Sequence, residues 1–260
     1  MKTENTLLII DMQNDFCSEA GALYVPGARS DVANLSRFIH QNLTAIDSII
    51  LTQDNHHVMD IAHPYFWHDK NGLQPAPFTG ITAADVLAGI WTPVPGEETV
   101  LFYLKELEIQ GEFPHTIWPE HCIWGSWGAA IDSQIQDAVN SWARQGNFFN
   151  LVTKGLNPFT EHFGALRANI IMENDDSTAW NLELINKLSH TENIYIAGEA
   201  RSHCVANTVK QVLDRPEINA HLYILEDCMS NVPGFESISD SIYEEAVRQG
   251  ATLIASNHLI

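Results

Sequence analysis

The chain has 260 residues, of which 45% are hydrophobic and 18% are charged. This composition is typical of a soluble globular protein, and the length is enough for one large α/β domain with a substantial core. The 13 basic and 33 acidic residues give a formal net charge of −20. Such a charge repels phosphate backbones and anionic membrane surfaces, so we expect neither nucleic-acid nor membrane partners.

The first apolar run, from Leu7 to Ile10, is too short for a signal peptide or a membrane span, and no other stretch approaches the required length. We therefore expect a cytoplasmic protein. The four cysteines, at positions 17, 122, 204 and 228, show no paired spacing. That usage favours a reducing compartment, in which a cysteine with a special role is more often catalytic than part of a disulfide.

Short apolar runs alternate with helical patterns along most of the chain. A run at 7–10 ends at Asp11, residues 28–42 place apolar side chains at helical spacing, and a second run at 49–51 follows. Continuous apolar runs are typical of strands covered on both faces, so this order predicts a β-α-β unit of a parallel sheet. Further strands are predicted at 148–152, 193–197, 221–225 and 251–255, and further helices at 180–188, 204–213 and 238–249. The chain is thus predicted to form a doubly wound, mainly parallel α/β domain with helices on both faces, which binds ligands at the carboxyl ends of its strands.

Residues 64–110 interrupt this alternation. The segment is rich in proline and glycine and has one predicted short helix, at 83–90. It offers few apolar residues for a core of its own. We therefore predict an insertion folded over a single domain that spans residues 1–260.

Three polar residues of different chemistry come at or just past the ends of predicted strands. Asp11 follows the first strand, Lys154 follows the strand at 148–152, and Cys204 lies near the start of the helix after the strand at 193–197. Each residue alone is more typical of an ordinary strand end or a buried small side chain. Together they supply a thiol, a positive neighbour and a base, which nucleophilic catalysis requires. A helix N-terminus further favours the thiolate form of cysteine.

A second group of residues has the chemistry of a metal site. Asp54 and His56 are two residues apart at the end of a strand and point the same way, and His121 could complete a set of one carboxylate and two imidazoles. Such a site would suit Zn²⁺, Fe²⁺ or Mn²⁺ and would leave positions open for water or substrate. The chain has 12 histidines, so chance clusters are common and the pattern alone is weak.

Five motifs that follow one another along the chain together resemble a known family. They are Asp11-x-Gln13-x-Asp15-Phe16, Asp54-x-His56, Trp118-Pro119-x-His121-Cys122, Lys154-Gly155, and Gly198-x-Ala200-x-x-x-Cys204-Val205. In this order they resemble the nicotinamidase branch of the isochorismatase-like cysteine hydrolases. The resemblance covers nearly the whole chain except the insertion.

The resemblance implies a catalytic role for each of the three strand-end residues. Asp11 matches the general base, Lys154 the residue that holds the acid and base network in place, and Cys204 the nucleophile. The backbone N–H groups of Ala200 and Cys204 match the oxyanion hole, which in this family depends on a cis peptide bond just before the alanine. The implied reaction converts a small carboxamide to a carboxylate and ammonia through a thioester.

The resemblance also implies one divalent metal ion, with Zn²⁺ the first choice and Fe or Mn as alternatives. Asp54, His56 and His121 match its ligands, and His63 or His57 is a candidate for the additional histidine of some members. Phe16 and Trp118 match aromatic walls that hold a flat ring. Family members often self-associate, so a homo-oligomer is expected.

The chain departs from the family pattern at three places. Arg201-Ser202 replaces the usual Thr or Ser followed by Asp, residues 158–165 replace a Ser-rich turn, and the insertion lies between the metal-ligand motifs. These departures leave open a different amide or a carbamoyl compound as the substrate. A catalytically degenerate binding or scaffold member is a further alternative. Isochorismatase activity is disfavoured, because that ether hydrolysis does not use the cysteine.

Overall fold

The computed structural model describes residues 4–260, and none of its helices is long and apolar enough to cross a lipid bilayer. The strands are β1 (Asn5–Ile10), β2 (Ser48–Asp54), β3 (Trp67–His68), β4 (Thr92–Pro93), β5 (Asn150–Lys154), β6 (Asn193–Gly198), β7 (His221–Leu225) and β8 (Thr252–Ile254). The α-helices are α1 (Asn14–Cys17), α2 (Ala28–Gln41), α3 (Ala83–Leu87), α4 (Glu97–Gln110), α5 (Ser133–Ala143), α6 (Leu182–Ser189), α7 (Ala206–Leu213) and α8 (Asp240–Arg248).

Six of the strands form one parallel sheet, in the order β5-β2-β1-β6-β7-β8. The chain winds outward from β1 through β2 to β5, then returns to the other side of β1 and winds outward through β6, β7 and β8. The strand order therefore reverses between β1 and β6, and at such a switch point the crevice beyond the carboxyl ends of the strands is the usual ligand site. The remaining strands, β3 and β4, form a small antiparallel pair within the insertion.

Helices cover both faces of the sheet, as predicted. Successive side chains of a strand point to opposite faces, and in β1 both sets are buried. Leu7 and Ile9 join a buried cluster with α2 and α5, whereas Leu8 and Ile10 join a second cluster with α6, α7 and α8. This double burial explains why the run at 7–10 is continuously apolar instead of alternating.

The insertion holds more apolar packing than its composition led us to expect. Residues of α3, α4 and the β3–β4 pair bury a third cluster that is separate from the two sheet faces. Ile61, Ile117, Ile170 and Met172 complete this cluster from outside the 64–110 segment. The insertion thus contributes to a buried cluster without forming one from its own residues alone, and a single domain stays our prediction.

Helices α4 and α5 were not predicted, although both carry a helical pattern. Buried side chains at Ile135, Ala138, Val139 and Trp142 of α5 follow the spacing i, i+3, i+4, i+7. The buried residues of α4 show a similar spacing. The strand predicted at 148–152 is displaced by two residues, because Phe148 is 90% exposed and the pairing with β2 begins at Asn150. As a consequence Lys154 is the last residue of β5 instead of following it.

Candidate active site

The predicted catalytic residues converge at the switch point of the sheet. Asp11 directly follows β1, Lys154 ends β5, and Cys204 lies just past β6. The close approach of β6 to β1 requires glycine at position 198, where φ is +133° and a Cβ atom would lie 2.0 Å from the carbonyl oxygen of Ile10. The end of β6 thereby brings the segment that carries Cys204 next to Asp11.

The ammonium group of Lys154 is the centre of this cluster. Its Nζ lies 2.8 Å from Asp11 Oδ2, 3.2 Å from Asp54 Oδ1 and 3.6 Å from Cys204 Sγ. Lys154 is only 1% exposed, and its Nζ also donates to the carbonyl oxygen of His162 at 2.8 Å. Ligand atoms of Asp11, Asp54 and Cys204 lie within 4.8 Å of one another. Since Nζ contacts all three, we interpret this group as an ammonium site and not as a metal site.

Burial and charge set the protonation of the cluster. Burial raises the pKa of the Cys204 thiol well above its ordinary value, and Asp11 and Asp54 raise it further, while only Lys154 lowers it. Burial would lower the pKa of Lys154, but Asp11 and Asp54 hold it well above the usual range. The resting state therefore pairs a charged Lys154 with a neutral thiol. Burial is the largest cause of the raised thiol pKa, and burial and the two carboxylates oppose the effect that we expected from the helix N-terminus.

Asp11 is placed to accept the thiol proton. Burial raises its pKa, and Lys154 opposes that rise. The carboxylate is fixed by Thr52 of β2, whose hydroxyl donates to Asp11 Oδ1 at 2.5 Å and accepts from the Asp11 backbone N–H at 3.0 Å. A carboxylate oxygen of Asp11 lies within 4.8 Å of the Cys204 sulfur. A base with a fixed orientation thus faces the sulfur.

The segment between β6 and α7 has the backbone features that the family resemblance implied. The peptide bond between Glu199 and Ala200 is cis, which confirms that expectation. Residues Arg201–Val205 form a single π-helical turn, and Cys204 lies within it, two residues before the first residue of α7. Among residues 4–260, the N–H of Ala200 has no hydrogen-bond acceptor. We call residues 198–204 the oxyanion turn.

Replacing Lys154 by methionine should destabilise the protein strongly. The substitution leaves the carboxylates of Asp11 and Asp54 buried without their cation, and breaking a buried ion pair in this way costs about 3–5 kcal/mol. Urea unfolding should show this loss for Lys154→Met, whereas Lys105→Met, at an exposed position of α4, should change the free energy of unfolding by less than about 0.5 kcal/mol. Equal stabilities for the two variants would contradict this account of the cluster.

The predicted metal ligands also come together. Ligand atoms of Asp54, His56 and His121 lie within 4.8 Å of one another, and all three residues are buried. His56 Nε2 is 3.2 Å from Asp54 Oδ2, and His121 Nε2 is 3.9 Å from the same oxygen. Asp54 thus presents one carboxylate oxygen to the histidines and the other to Lys154. The metal-ligand set and the catalytic cluster share this carboxylate.

The electrostatics of these three residues fit a divalent cation. Burial and the neighbouring His56 lower the pKa of His121 to about 3, so its imidazole is neutral and keeps a lone pair for a metal. Although burial opposes it, Asp54 and Asp60 raise the pKa of His56 well above its ordinary value. His56 Nδ1 lies 3.1 Å from Asp60 Oδ2, an outer carboxylate that orients a metal-binding histidine in many sites. A proton on His56 supplies positive charge that a bound cation would replace.

His63 and His57 differ in their relation to this set. His63 is fully buried, and its Nε2 lies 3.3 Å from His121 Nδ1 while its Nδ1 lies 3.0 Å from the His57 carbonyl oxygen. It therefore adjoins the site, but it is not among the three residues whose ligand atoms converge. His57 is exposed and stacks on Trp124 at 6.1 Å between ring centroids. Of these two candidates, only His63 is near enough to influence the site.

A pocket opens directly onto Cys204. The space between its walls, including the part open to solvent, is about 370 Å³. Phe16 and Trp118, the two predicted aromatic walls, both line it together with Asp54 and His121. The thiol, the candidate metal ligands and two aromatic rings therefore face one small space.

Five residues that line the pocket were not predicted as site residues: Leu23, Glu161, Phe163, His203 and Val232. Glu161 and Phe163 belong to the departing segment 158–165, and His203 directly precedes the nucleophile candidate. Burial raises the pKa of Glu161 to about 8, so this carboxyl is protonated at neutral pH. Burial lowers the pKa of His203 to about 4, so this imidazole is neutral. The pocket thus contains polar but uncharged groups beyond the two aromatic walls.

The Arg201-Ser202 pair affects the pocket less directly than its sequence suggested. The guanidinium of Arg201 lies over the ring of Tyr243 at 4.2 Å and near Asp240 of α8, away from the pocket. Ser202 Oγ lies 2.9 Å from His203 Nδ1 and accepts from the Val232 N–H at 3.0 Å. Ser202 therefore orients the His203 ring, while Arg201 adds no charge to the pocket.

Two residues of the first motif position the site through backbone hydrogen bonds. The Gln13 side chain donates to the Asp54 carbonyl oxygen at 2.7 Å and accepts from the Asp54 N–H at 2.8 Å. Asp15 Oδ2 accepts from the Cys122 N–H at 2.6 Å, next to His121. The motif named both residues, but only the three-dimensional contacts show what they hold in place.

Two relatives match this chain over most of its length. It is 25% identical over 240 residues to a nicotinamidase of Saccharomyces cerevisiae, which covers 92% of this chain and 94% of that protein. It is 26% identical over 247 residues to a nicotinamidase of Escherichia coli K12, with 95% and 92% covered. No family model matches the chain.

Solved structures share the fold. The yeast nicotinamidase bound to the inhibitor nicotinaldehyde superposes with a TM-score of 0.67 at 20% identity, covering 96% of this chain and 99% of that one. A Pyrococcus horikoshii pyrazinamidase in complex with zinc has a TM-score of 0.56 at 18% identity, covering 97% and 99%. The N-carbamoylsarcosine amidase of Thermoplasma acidophilum has a TM-score of 0.54 at 16% identity, covering 99% of each chain. The chain is therefore similar in sequence to two nicotinamidases and shares its fold with solved structures of a nicotinamidase, a pyrazinamidase and an amidase.

Proposed function

We propose that this chain hydrolyses the C–N bond of a small aromatic carboxamide to a carboxylate and ammonia, with nicotinamide as the first candidate substrate. The observation that carries the proposal is the placement of Cys204, Asp11 and Lys154 at the base of one small aromatic pocket. The sequence relatives of this chain act on nicotinamide.

In the first half of the reaction, Asp11 takes the proton of the Cys204 thiol as the sulfur attacks the carboxamide carbon. Proton transfer at the moment of attack suits a thiol whose pKa is raised. The N–H groups of Ala200 and Cys204 hold the developing oxyanion. Lys154 stays charged and stabilises the negative charge that passes between sulfur and carboxylate. Asp11 then returns the proton to the nitrogen, so ammonia leaves and a thioester remains on Cys204.

In the second half, a water molecule attacks the thioester while Asp11 removes one of its protons. The same oxyanion hole stabilises the second tetrahedral intermediate. The C–S bond breaks, the sulfur is reprotonated from Asp11, and the carboxylate product departs. Each half-reaction thus uses the same base and the same two N–H donors.

Asp54, His56 and His121 are the residues that would hold a divalent ion, with Zn²⁺ the first choice and Fe or Mn as alternatives. Such an ion would offer an open coordination position that orients a nitrogen atom of the substrate. The zinc complex of the P. horikoshii pyrazinamidase supports this choice. Phe16 and Trp118 then hold the flat face of the ring.

A carbamoyl compound is the second candidate substrate. The protonated Glu161 and the neutral His203 add hydrogen-bonding groups that a flat aromatic ring does not need. The fold is also that of an amidase for a carbamoyl compound. The same thiol chemistry would cleave its terminal C–N bond.

An ammonia-release screen of the purified protein tests these candidates. It should include nicotinamide, pyrazinamide, benzamide and an N-carbamoyl amino acid. Nicotinamide should be turned over at least about tenfold faster than benzamide, which has the same shape but lacks the ring nitrogen. Faster turnover of the carbamoyl compound would select the second candidate. No ammonia from any of them would refute the proposed hydrolysis and favour a binding or scaffold role.

The homo-oligomeric state and the cytoplasmic location remain predictions. Light scattering on the purified protein would measure the mass of the assembly against the 29.1 kDa of one chain. A monomer would contradict the expected self-association.

A further inference from the structure

Two buried carboxyl groups, one from the oxyanion turn and one from α2, lie outside the pocket. Glu199 is 0% exposed and Asp31 of α2 is 5% exposed. Both side chains accept a hydrogen bond from Ser230, which brings the two carboxyl groups together. Neither residue takes part in the chemistry described above, so their burial needs another explanation.

The hydrogen bonds of the pair require one proton. Glu199 Oε2 accepts from the Ser230 N–H at 3.3 Å, and Asp31 Oδ2 accepts from the Ser230 hydroxyl at 2.5 Å. Glu199 Oε1 has no hydrogen-bond partner in residues 4–260, and neither carboxyl forms a salt bridge with a cation in that range. Two ionised carboxylates in contact would repel each other. A proton on Glu199 Oε1 that is donated to Asp31 satisfies both groups.

The pair is linked to the oxyanion turn through residues 230–232. The Ser230 carbonyl oxygen accepts from the Arg201 N–H at 2.8 Å, and the Val232 N–H donates to Ser202 Oγ at 3.0 Å. Residues 230–232 therefore contact both sides of the bond between Arg201 and Ser202. Since Ser230 also bonds to Glu199 and Asp31, the pair holds this segment against the turn that carries Ala200 and Cys204.

We propose that Glu199 and Asp31 share one proton and form a positioning pair that fixes residues 230–232, and through them the oxyanion turn. The inference rests on the proposed hydrolysis for its effect on rate, but its effect on stability is independent of any substrate. Both residues are positioning residues, because neither lines the pocket. This positioning role accounts for two buried acids that are not part of the catalytic cluster.

Burial raises the pKa of Glu199 well above its ordinary value, and Asp31 raises it further. Burial also raises the pKa of Asp31. Carboxyl groups of the unfolded chain titrate near pH 4. The contribution of the pair to stability is therefore complete below about pH 4 and is lost as the pH rises toward the raised pKa of the pair. The other titratable or charged groups around the pair are Cys17, Arg29, Asp132, Arg201, Asp227, Cys228 and Tyr243.

Two substitutions of similar size at position 199 test the pair. Glu199→Gln keeps an acceptor for Ser230 and supplies an amide N–H for Asp31 that does not titrate, whereas Glu199→Met supplies neither. We expect kcat of Glu199→Met to fall about 10- to 100-fold, because the oxyanion donors are displaced. KM should change by a smaller factor, because Val232 is the residue of the 230–232 segment that also lines the pocket. Glu199→Gln should keep kcat within about threefold of the parent. Glu244→Gln, at an exposed position of α8, is the control.

The pH dependence separates a shared proton from mere packing. Between pH 4 and 9, urea unfolding should show the parent losing stability relative to Glu199→Gln, because only the parent can lose the shared proton. Parallel stability curves for these two proteins, or a Glu199→Gln variant as impaired as Glu199→Met, would overturn the pair. If Glu199→Met does not fold, Ser230→Ala is the second variant, because it removes the hydroxyl that donates to Asp31. An unchanged kcat in Ser230→Ala would equally count against the proposal.

Failure of the proposed hydrolysis would look different. In that case the parent protein releases no ammonia from any compound of the screen, yet the comparison of unfolding curves still decides whether the pair exists. An active parent with parallel unfolding curves rejects the pair and leaves the hydrolysis intact.

Discussion

Cys204→Ala should abolish ammonia release while the protein stays folded. Loss of the nucleophile in a comparable catalytic set lowers kcat by roughly 10⁴-fold or more. No other thiol lines the pocket of this protein, so no second cysteine can replace Cys204. The side chain is small and at the edge of a cavity, so its truncation should cost no more than about 1 kcal/mol of stability. The measurement is steady-state ammonia release, with circular dichroism and thermal unfolding to confirm the fold.

The matched control is Cys228→Ala, which removes a buried cysteine that does not line the pocket. It should retain turnover within about threefold of the parent. Acid quenching of the parent during turnover should also leave the acyl group on the peptide that contains Cys204, as seen by mass spectrometry. Undiminished turnover in Cys204→Ala would refute the covalent mechanism.

His56→Ala combined with His121→Ala should eliminate metal binding. The parent protein, prepared without chelators, should carry about one divalent ion per chain. Substituting a residue that only hydrogen-bonds to a metal ligand typically weakens metal affinity by roughly 10- to 100-fold. Removing two of the three converging ligands should weaken the metal affinity by more than that. Elemental analysis after dialysis against a limiting concentration of Zn²⁺ measures the loss directly, without reference to any substrate.

The neighbouring His57 provides the control for this experiment, because it is exposed and stacks on Trp124 instead of facing the site. His57→Ala should bind metal as the parent does. His63→Ala tests the candidate additional histidine. A loss of about tenfold or less in metal affinity would fit a residue that acts through His121. Equal metal content in the parent and the double variant would show that the ion, if present, lies elsewhere.

The fold could be predicted in outline because strands covered on both faces are recognisable locally. The continuous apolar runs at the strands now described as β1, β2 and β6 mark buried parallel strands, and each is found within a few residues of its expected position. Helices α4 and α5 were missed even though their buried side chains have helical spacing. The order of the strands in the sheet depends on contacts between distant segments, which no local pattern reveals.

Some parts of the candidate site were predicted more completely than others. The strand-end positions of Asp11, Lys154 and Cys204 indicated a common edge of the sheet, and the structure brings the three together. The sequence did not show that Asp54 contacts Lys154 as well as the histidines. It also did not show that Arg201 turns away from the pocket, because the direction of that side chain is decided by Tyr243 and Asp240 of α8.

The sequence by itself determined the class of fold, the residue types available for catalysis and metal binding, and the order of motifs shared with a family. These features are set by local burial patterns and by the chemistry of individual side chains. Only the tertiary structure decided which charges are neighbours, and therefore that Cys204 rests as a thiol and that Glu199 meets Asp31. The physical reason is that protonation depends on burial and on charges within a few ångströms, and both arise only when distant segments pack together.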